Sequence, residues 1–282
     1  MYSIRRIICN KKLIHNGFRG LSSKGGLVDL TVDNEGIAVL TLQRPKVNSL
    51  NLELVQDISS SLDEVSKNKY KGMILTSSSS TVFSAGLDLT EMHNPDPKRI
   101  ETFWTTLQDV WIKLFGSAYP TAAAVNGHSP AGGCLLAMSC EYRAMVKGKF
   151  TIGLNETALG IVPSDWFIHT MWNILPKRET EIALTTGKMF TVDEALKVGL
   201  IDTATTDKTE AIEECKKFIK KFDKISPVAR SITKQKLREG PLQWMERNRQ
   251  ANLKEFLTDI ENPVIQKSLG AYLQNLKQRS AK

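Results

Sequence analysis

Between residues 27 and 146 the chain alternates short apolar runs with segments of helical period, and this constrains its fold more than any other feature. LVDLTVDNEGIAVLTLQRP (27–45) reads as two strands joined at Asp33-Asn34-Glu35-Gly36 and stopped by Pro45. Residues 52–66 place Leu54, Ile58, Leu62 and Val65 on one helical face. GMILTSS (72–78) is a short buried strand, FWTTLQDVWIKLFGSA (103–118) an amphipathic helix ending near Gly116, and AYPTAAAVNG (118–127) a strand of small residues. CLLAMSCEYRAMV (134–146) continues as a helix running into another strand. Strand–helix–strand alternation is the pattern of a parallel α/β core. From about Pro176 the sequence reads as successive helices, with Gly187, Gly199 and Gly240 at the C-cap positions.

Composition narrows the functional classes. Of 282 residues 41% are hydrophobic and 24% charged, which excludes a disordered chain. No apolar run approaches the ~18–20 residues of a membrane span. Cys9, Cys134, Cys140 and Cys215 form no Cys-x-x-Cys pair, and His15, His93, His128 and His169 show no zinc spacing, so neither a disulfide framework nor a structural metal is expected. Arg5, Arg6, Lys11, Lys12, Arg19 and Lys24 lie in residues 1–28, which hold no acid. Removing these six cations from the net charge of +8 leaves +2 for residues 29–282, too little for the broad basic field of a nucleic-acid-binding fold. The acid-free N-terminus interleaves cations with Ile, Leu and Phe and has no continuous apolar core, as in an organellar transit peptide. Residues 1–25 are therefore read as a mitochondrial address outside the fold, and the matrix as the destination.

Four segments could carry chemistry. Phe83-Ser84-Ala85-Gly86-Leu87-Asp88-Leu89 offers backbone N–H groups beside a small Ala-Gly pair, or else is a plain turn in which Asp88 caps a helix. Pro130-Ala131-Gly132-Gly133-Cys134 opens a helix, where free N–H donors and the dipole favour a developing negative charge, although glycines here also serve close packing. In Gly153-Leu154-Asn155-Glu156-Thr157-Ala158-Leu159-Gly160-Ile161 one carboxylate sits among apolar neighbours. Buried, Glu156 would be a base near neutral pH; exposed, it would be an ordinary residue of a first helical turn. His128 has no acid or nucleophile pattern around it and reads as a loop residue.

Taken together and in this order, VNSL (47–50), FSAGLDLTEM (83–92), PAGGCLLAMSCEYR (130–143) and GLNETALGI (153–161) resemble the crotonase, or enoyl-CoA hydratase/isomerase, superfamily, and within it the mitochondrial Δ3,Δ2-enoyl-CoA isomerases. The resemblance covers most of residues 30–282. It implies an α/β fold with a ββα spiral core (26–220), a C-terminal helical region (221–282) for assembly and active-site cover, and a homotrimer. It implies an acyl-CoA thioester as substrate, with CoA part of that substrate and no separate cofactor, metal or nucleic acid. It carries over an oxyanion hole from the N–H groups of Leu87 and Gly132, Glu156 as the base, a thioester channel along Ala85, Gly86, Leu87, Asp88 and Leu89, and Lys46 near the CoA nucleotide. Hydratases of the superfamily carry a second Glu directly after the Gly-Gly-Cys stretch. Here that residue is Leu135, which favours moving a double bond from the 3- to the 2-trans position over adding water. Pro163-Ser164-Asp165-Trp166 departs from the isomerase pattern and bears on acyl-chain preference.

Overall fold

The computed structural model describes residues 19–20 and 26–280. Its central sheet has seven strands in the order β1-β2-β3-β4-β5-β7-β10. These are β1 (Arg19–Gly20), β2 (Val28–Val32), β3 (Ile37–Leu42), β4 (Gly72–Ser77), β5 (Thr121–Val125), β7 (Tyr142–Val146) and β10 (Thr203–Thr205). The first three strands pair antiparallel and the rest parallel. The β2–β3 hairpin turns where expected: Gly36 takes φ +80°, and Asp33 Oδ1 accepts from the N–H groups of Glu35 and Ile37. A second sheet joins β6 (Ser129–Pro130), β8 (Thr151–Gly153) and β9 (Phe190–Thr191).

Strand periodicity sorts the central sheet's side chains into two cores. Ala38, Leu40, Leu42, Met73, Leu75, Ala123 and Val125 face α1 (Leu52–Asn68), α3 (Pro97–Phe115) and α4 (Gly132–Ser139). Ile37, Val39, Ile74, Ala122, Ala124 and Ala144 face Ala211, Cys215 and Ile219 of α8 (Lys208–Lys220). Because both faces are covered, the strands read as continuous apolar or small-residue runs. The short α2 (Leu89–Met92) follows the loop that ends at Asp88.

Beyond β8 come α5 (Asp165–Trp172), α6 (Lys177–Thr186), α7 (Val192–Val198), α9 (Pro227–Leu237), α10 (Glu239–Glu261) and α11 (Pro263–Ser280). Gly187 and Gly199 are left-handed helix caps, as the sequence suggested. Gly240 is not a cap. It lies in the first turn of α10 beside Pro241, whose missing N–H is harmless there, and Arg238 joins α9 to α10. The transit-peptide expectation falls outside the described residues except at Arg19–Gly20, which pair with β2. No helix among the described residues is long and apolar enough to cross a membrane.

Candidate active site

The loop 83–88 is fixed on both sides. Leu50 N–H donates to Gly86 O at 2.8 Å, Asp88 N–H to Leu50 O at 3.0 Å, and Ala85 N–H to Val47 O at 2.9 Å. Buried Asn48 donates through Nδ2 to Ser77 Oγ and Phe83 O, while Ser84 Oγ donates back to Asn48 O at 2.7 Å. Ala85, Leu87 and Leu89 line a pocket, whereas Gly86 and Asp88 do not. Asp88 is held by Arg44 at 2.8 Å and caps α2 by accepting from Thr90 N–H. Leu87 N–H, pointing away from Leu50, has no acceptor among the described residues.

The opening of α4 lies against this loop. A Cβ on Gly86 would sit 2.9 Å from Ala131 Cβ and 3.1 Å from Gly132 N; one on Gly132 would sit 3.3 Å from Leu87 N. The backbone nitrogens of Leu87 and Gly132 are therefore neighbours, and both N–H groups are free to donate. The two glycines divide the work that the sequence left open. Gly132 leaves room at the donors, while Gly133 permits close packing, since a Cβ there would meet Ser84 O at 2.4 Å. Ala131 takes φ +47°, ψ −120°, a conformation natural to glycine that costs an alanine about 1–3 kcal/mol. It is pinned by its N–H to Gly153 O at 2.8 Å.

Glu156 follows β8 and precedes a single 3-10 turn, Thr157–Leu159. It lines the same pocket, is 8% exposed, and neither carboxylate oxygen has a hydrogen-bond partner among the described residues. Burial pushes its carboxyl up to about 7. The pocket, about 190 Å³, is walled by Met92, Ile161, Phe167 and the stacked pair Trp104–Phe256, whose centroids are 3.6 Å apart. Asn252 and Phe256 of α10 and Tyr272 of α11 close it. The geometry thus combines two adjacent donors, one desolvated carboxylate and an apolar cavity. A carbonyl oxygen gaining charge at the donors and a C–H beside Glu156 would both be served.

The enoyl-CoA hydratase/isomerase family model matches residues 32–280. The chain belongs to that family. It is 39% identical over 266 residues to the enoyl-CoA delta isomerase 1 of Mus musculus mitochondria, covering 94% of this chain and 91% of the mouse protein. It is 28% identical over 217 residues to the short-chain-enoyl-CoA hydratase of Clostridium acetobutylicum, covering 76% and 82%. The crystal structure of human mitochondrial Δ3-Δ2-enoyl-CoA isomerase superposes with a TM-score of 0.87 at 37% identity, covering 90% of this chain and 99% of that one. The expected fold, a crotonase-type α/β core with a helical C-terminal region, is the observed one.

Within this family frame, several expected residues stand apart from the pocket. Leu135 is 1% exposed in the main core and does not line the cavity. His128 accepts at Nδ1 from Thr151 N–H and packs edge-on against Phe150, away from the pocket. Lys46 is exposed in a turn at φ +74°. Asp165 lines the pocket mouth with Ser164. Sequence reasoning missed Asn155, Asn252 and the Trp104–Phe256 wall. Asn155 was legible only as the neighbour of Glu156, and its buried Oδ1 has no partner among the described residues. Asn252 lies far along the chain; its Oδ1 accepts from Trp104 and Gln108, and its Nδ2 donates to Ser164.

Proposed function

We propose that the protein is a Δ3,Δ2-enoyl-CoA isomerase, converting 3-enoyl-CoA to 2-trans-enoyl-CoA in the β-oxidation of unsaturated fatty acids. The observation that carries this is one apolar pocket lined by Leu87, Ala131 and Glu156, with Gly132, which does not itself line it, beside Leu87 N, and with the carboxylate made basic by burial. The C2 proton is acidified by the thioester and by the neighbouring double bond. The two N–H groups receive the thioester oxygen as removal of that proton builds charge on it; one such donor is typically worth ~10²–10³ in rate. Glu156 takes the C2 proton, leaving a dienolate, and the resulting carboxylic acid returns it at C4. Nothing is oxidised or reduced and no water is consumed, so CoA enters only as part of the substrate.

The isomerase names borne by relatives at this identity support the reading. A mitochondrial matrix location is supported by the basic, acid-free N-terminus together with the mitochondrial designation of those relatives. The homotrimer is supported by α9, whose Val228, Ile232 and Leu237 are exposed to solvent in the single chain and call for a partner surface. Incubation of the purified protein with a 3-enoyl-CoA, followed by the conjugated product's absorbance and its mass, tests the reaction. Absence of turnover, or formation of 3-hydroxyacyl-CoA as the main product, would overturn it.

A further inference from the structure

Helix α9 is inverted. Its apolar residues Val228, Ile232 and Leu237 are exposed, while Arg230, Lys234 and Arg238, spaced four apart, turn inward. Arg230 and Lys234 share Glu141, and Lys234 also donates to Ser117 Oγ at 2.7 Å. Among the described residues Arg238 meets no carboxylate within salt-bridge distance. It lies over the ring of Phe115, its guanidinium carbon 4.2 Å from the centroid. It donates to Phe115 O at 2.8 Å and to Ser139 O at 2.9 Å, the last carbonyls of α3 and α4. Arg143 donates to Cys140 O, the cap of α4, at 2.9 Å, and its charge is shared with Asp202 at 3.0 Å, which leaves Arg238 the larger unpaired charge there.

Two buried guanidinium groups thus sit on the C-terminal end of the helix whose first N–H is the Gly132 donor. Helix α4 has no side-chain cap at its start, and every one of its residues is buried. We propose that Arg238, seconded by Arg143, is a positioning residue for the isomerisation. It anchors α4 from its far end and offsets the negative pole of the helix, so that the positive pole acts undiminished on the thioester oxygen. The inference rests on the isomerase reading above and on Gly132 as a donor to that oxygen. An eight-residue helix spans about 12 Å. A unit charge at about that range, in an effective dielectric of ~20, changes the stabilisation of a full oxyanion charge by roughly tenfold in rate.

The test compares the wild type with Arg238→Gln, which still donates to a carbonyl but carries no charge, and Arg238→Lys, which restores the charge. Each is assayed for kcat and KM with a 3-enoyl-CoA. Each is also titrated while holding a 3-ketoacyl-CoA, whose enolate places the same charge on the thioester oxygen and absorbs in the near ultraviolet. Arg238→Gln is expected to lower kcat about tenfold with KM within twofold, and to lower the acid dissociation constant of the bound ketoacyl group by about the same factor. Arg238→Lys is expected to recover most of both. If Arg238→Gln does not fold, Arg143→Gln decides by the same two readouts. A folded neutral variant with lower thermal stability but unchanged kcat and enolate titration would overturn the proposal. In that case an active wild type leaves the isomerase reading standing, whereas an inactive wild type overturns that reading itself.

Discussion

Replacing Glu156 by Gln should slow the enzyme and stabilise the protein, with the stabilisation depending on pH in a defined window. The substitution is nearly isosteric and removes the base, and positioned general bases are worth ~10²–10⁴ in rate. The stability effect follows from the raised pKa. Glu156 carries no compensating hydrogen bond in the folded state, and burial lifts its pKa from 4.5 to about 7. A carboxylate whose folded pKa lies above its unfolded one favours folding while protonated, and that contribution is lost as pH rises through the folded pKa. Between pH ~4.5 and ~7 the folded wild type binds a proton that the unfolded chain has released. Its stability relative to the Gln variant therefore falls by about 1.36 kcal/mol per pH unit, to a plateau deficit of about 3 kcal/mol above pH ~7. With about 2 °C of Tm per kcal/mol for a chain of this size, the variant should melt roughly 6 °C higher at pH 8 and level with wild type near pH 4.5. Scanning calorimetry of both proteins across pH 4.5–8.5, with kcat/KM on the same samples, is the assay. A Tm difference that does not change with pH would refute the desolvated-carboxylate argument. Near-wild-type turnover in the variant would refute Glu156 as the base. The same pKa predicts that wild-type kcat/KM rises with pH through an inflection near 7.

Three further outcomes are expected. Gly132→Ala puts a Cβ 3.0 Å from Leu50 Cδ1, 3.1 Å from Leu87 Cδ2 and 3.3 Å from Leu87 N, so one or both donors must shift; kcat should fall by about tenfold or more while circular dichroism stays native. Ala131→Gly relieves the positive φ at the cost of a more flexible unfolded chain, and should raise Tm by about 2 °C, read by calorimetry. Deleting residues 263–282 removes Tyr272 from the pocket, buried Leu269 from the core, and the Gln266 side chain, which donates to Met92 O and Ile260 O. KM for a 3-enoyl-CoA should rise several-fold, and unchanged kinetics would show that α11 does not cover the site.

What could be read from the sequence and what could not divides along physical lines. The strands and α1 were legible because burial on one or two faces writes itself into a period of two, a continuous run or a helical stripe, as at Leu54, Ile58, Leu62 and Val65. The three motif loops were legible only together, through their resemblance to the family; singly each reads equally well as a turn, a packing contact or an exposed helical turn. Whether Glu156 was buried or exposed was not, since the pocket it lines is completed by α10 and α11, about a hundred residues further on. Asn252, Phe256 and Tyr272 were invisible for the same reason. The inward face of α9 did leave a trace, cations at 230, 234 and 238, but such a stripe ordinarily marks a solvated surface. Only the exposed Val228, Ile232 and Leu237 opposite show that this helix is turned the other way.

The choice between moving a double bond and adding water turns on where the carboxylates lie. Four of them line the pocket: Glu156, Asp165, Glu255 and Asp259. The last three are exposed at its mouth. Only Glu156 is buried, and desolvation shifts it upward toward neutrality. Hydration needs a water held between two groups that divide the proton transfers, and the position where the family's hydratases carry their second Glu is here Leu135, packed into the core rather than facing the cavity. A single buried carboxylate suits the opposite task. Once it takes a proton from C2 it becomes neutral in an apolar site, the form that burial favours. It has no hydrogen-bond partner among the described residues to draw that proton away. Phe256 and Tyr272, from the C-terminal helices, help close the cavity that keeps bulk water from exchanging it. With Glu156 as the proposed base, the proton's remaining favourable destination would be the dienolate, so the features that make Glu156 basic are those that would have it return the proton at C4.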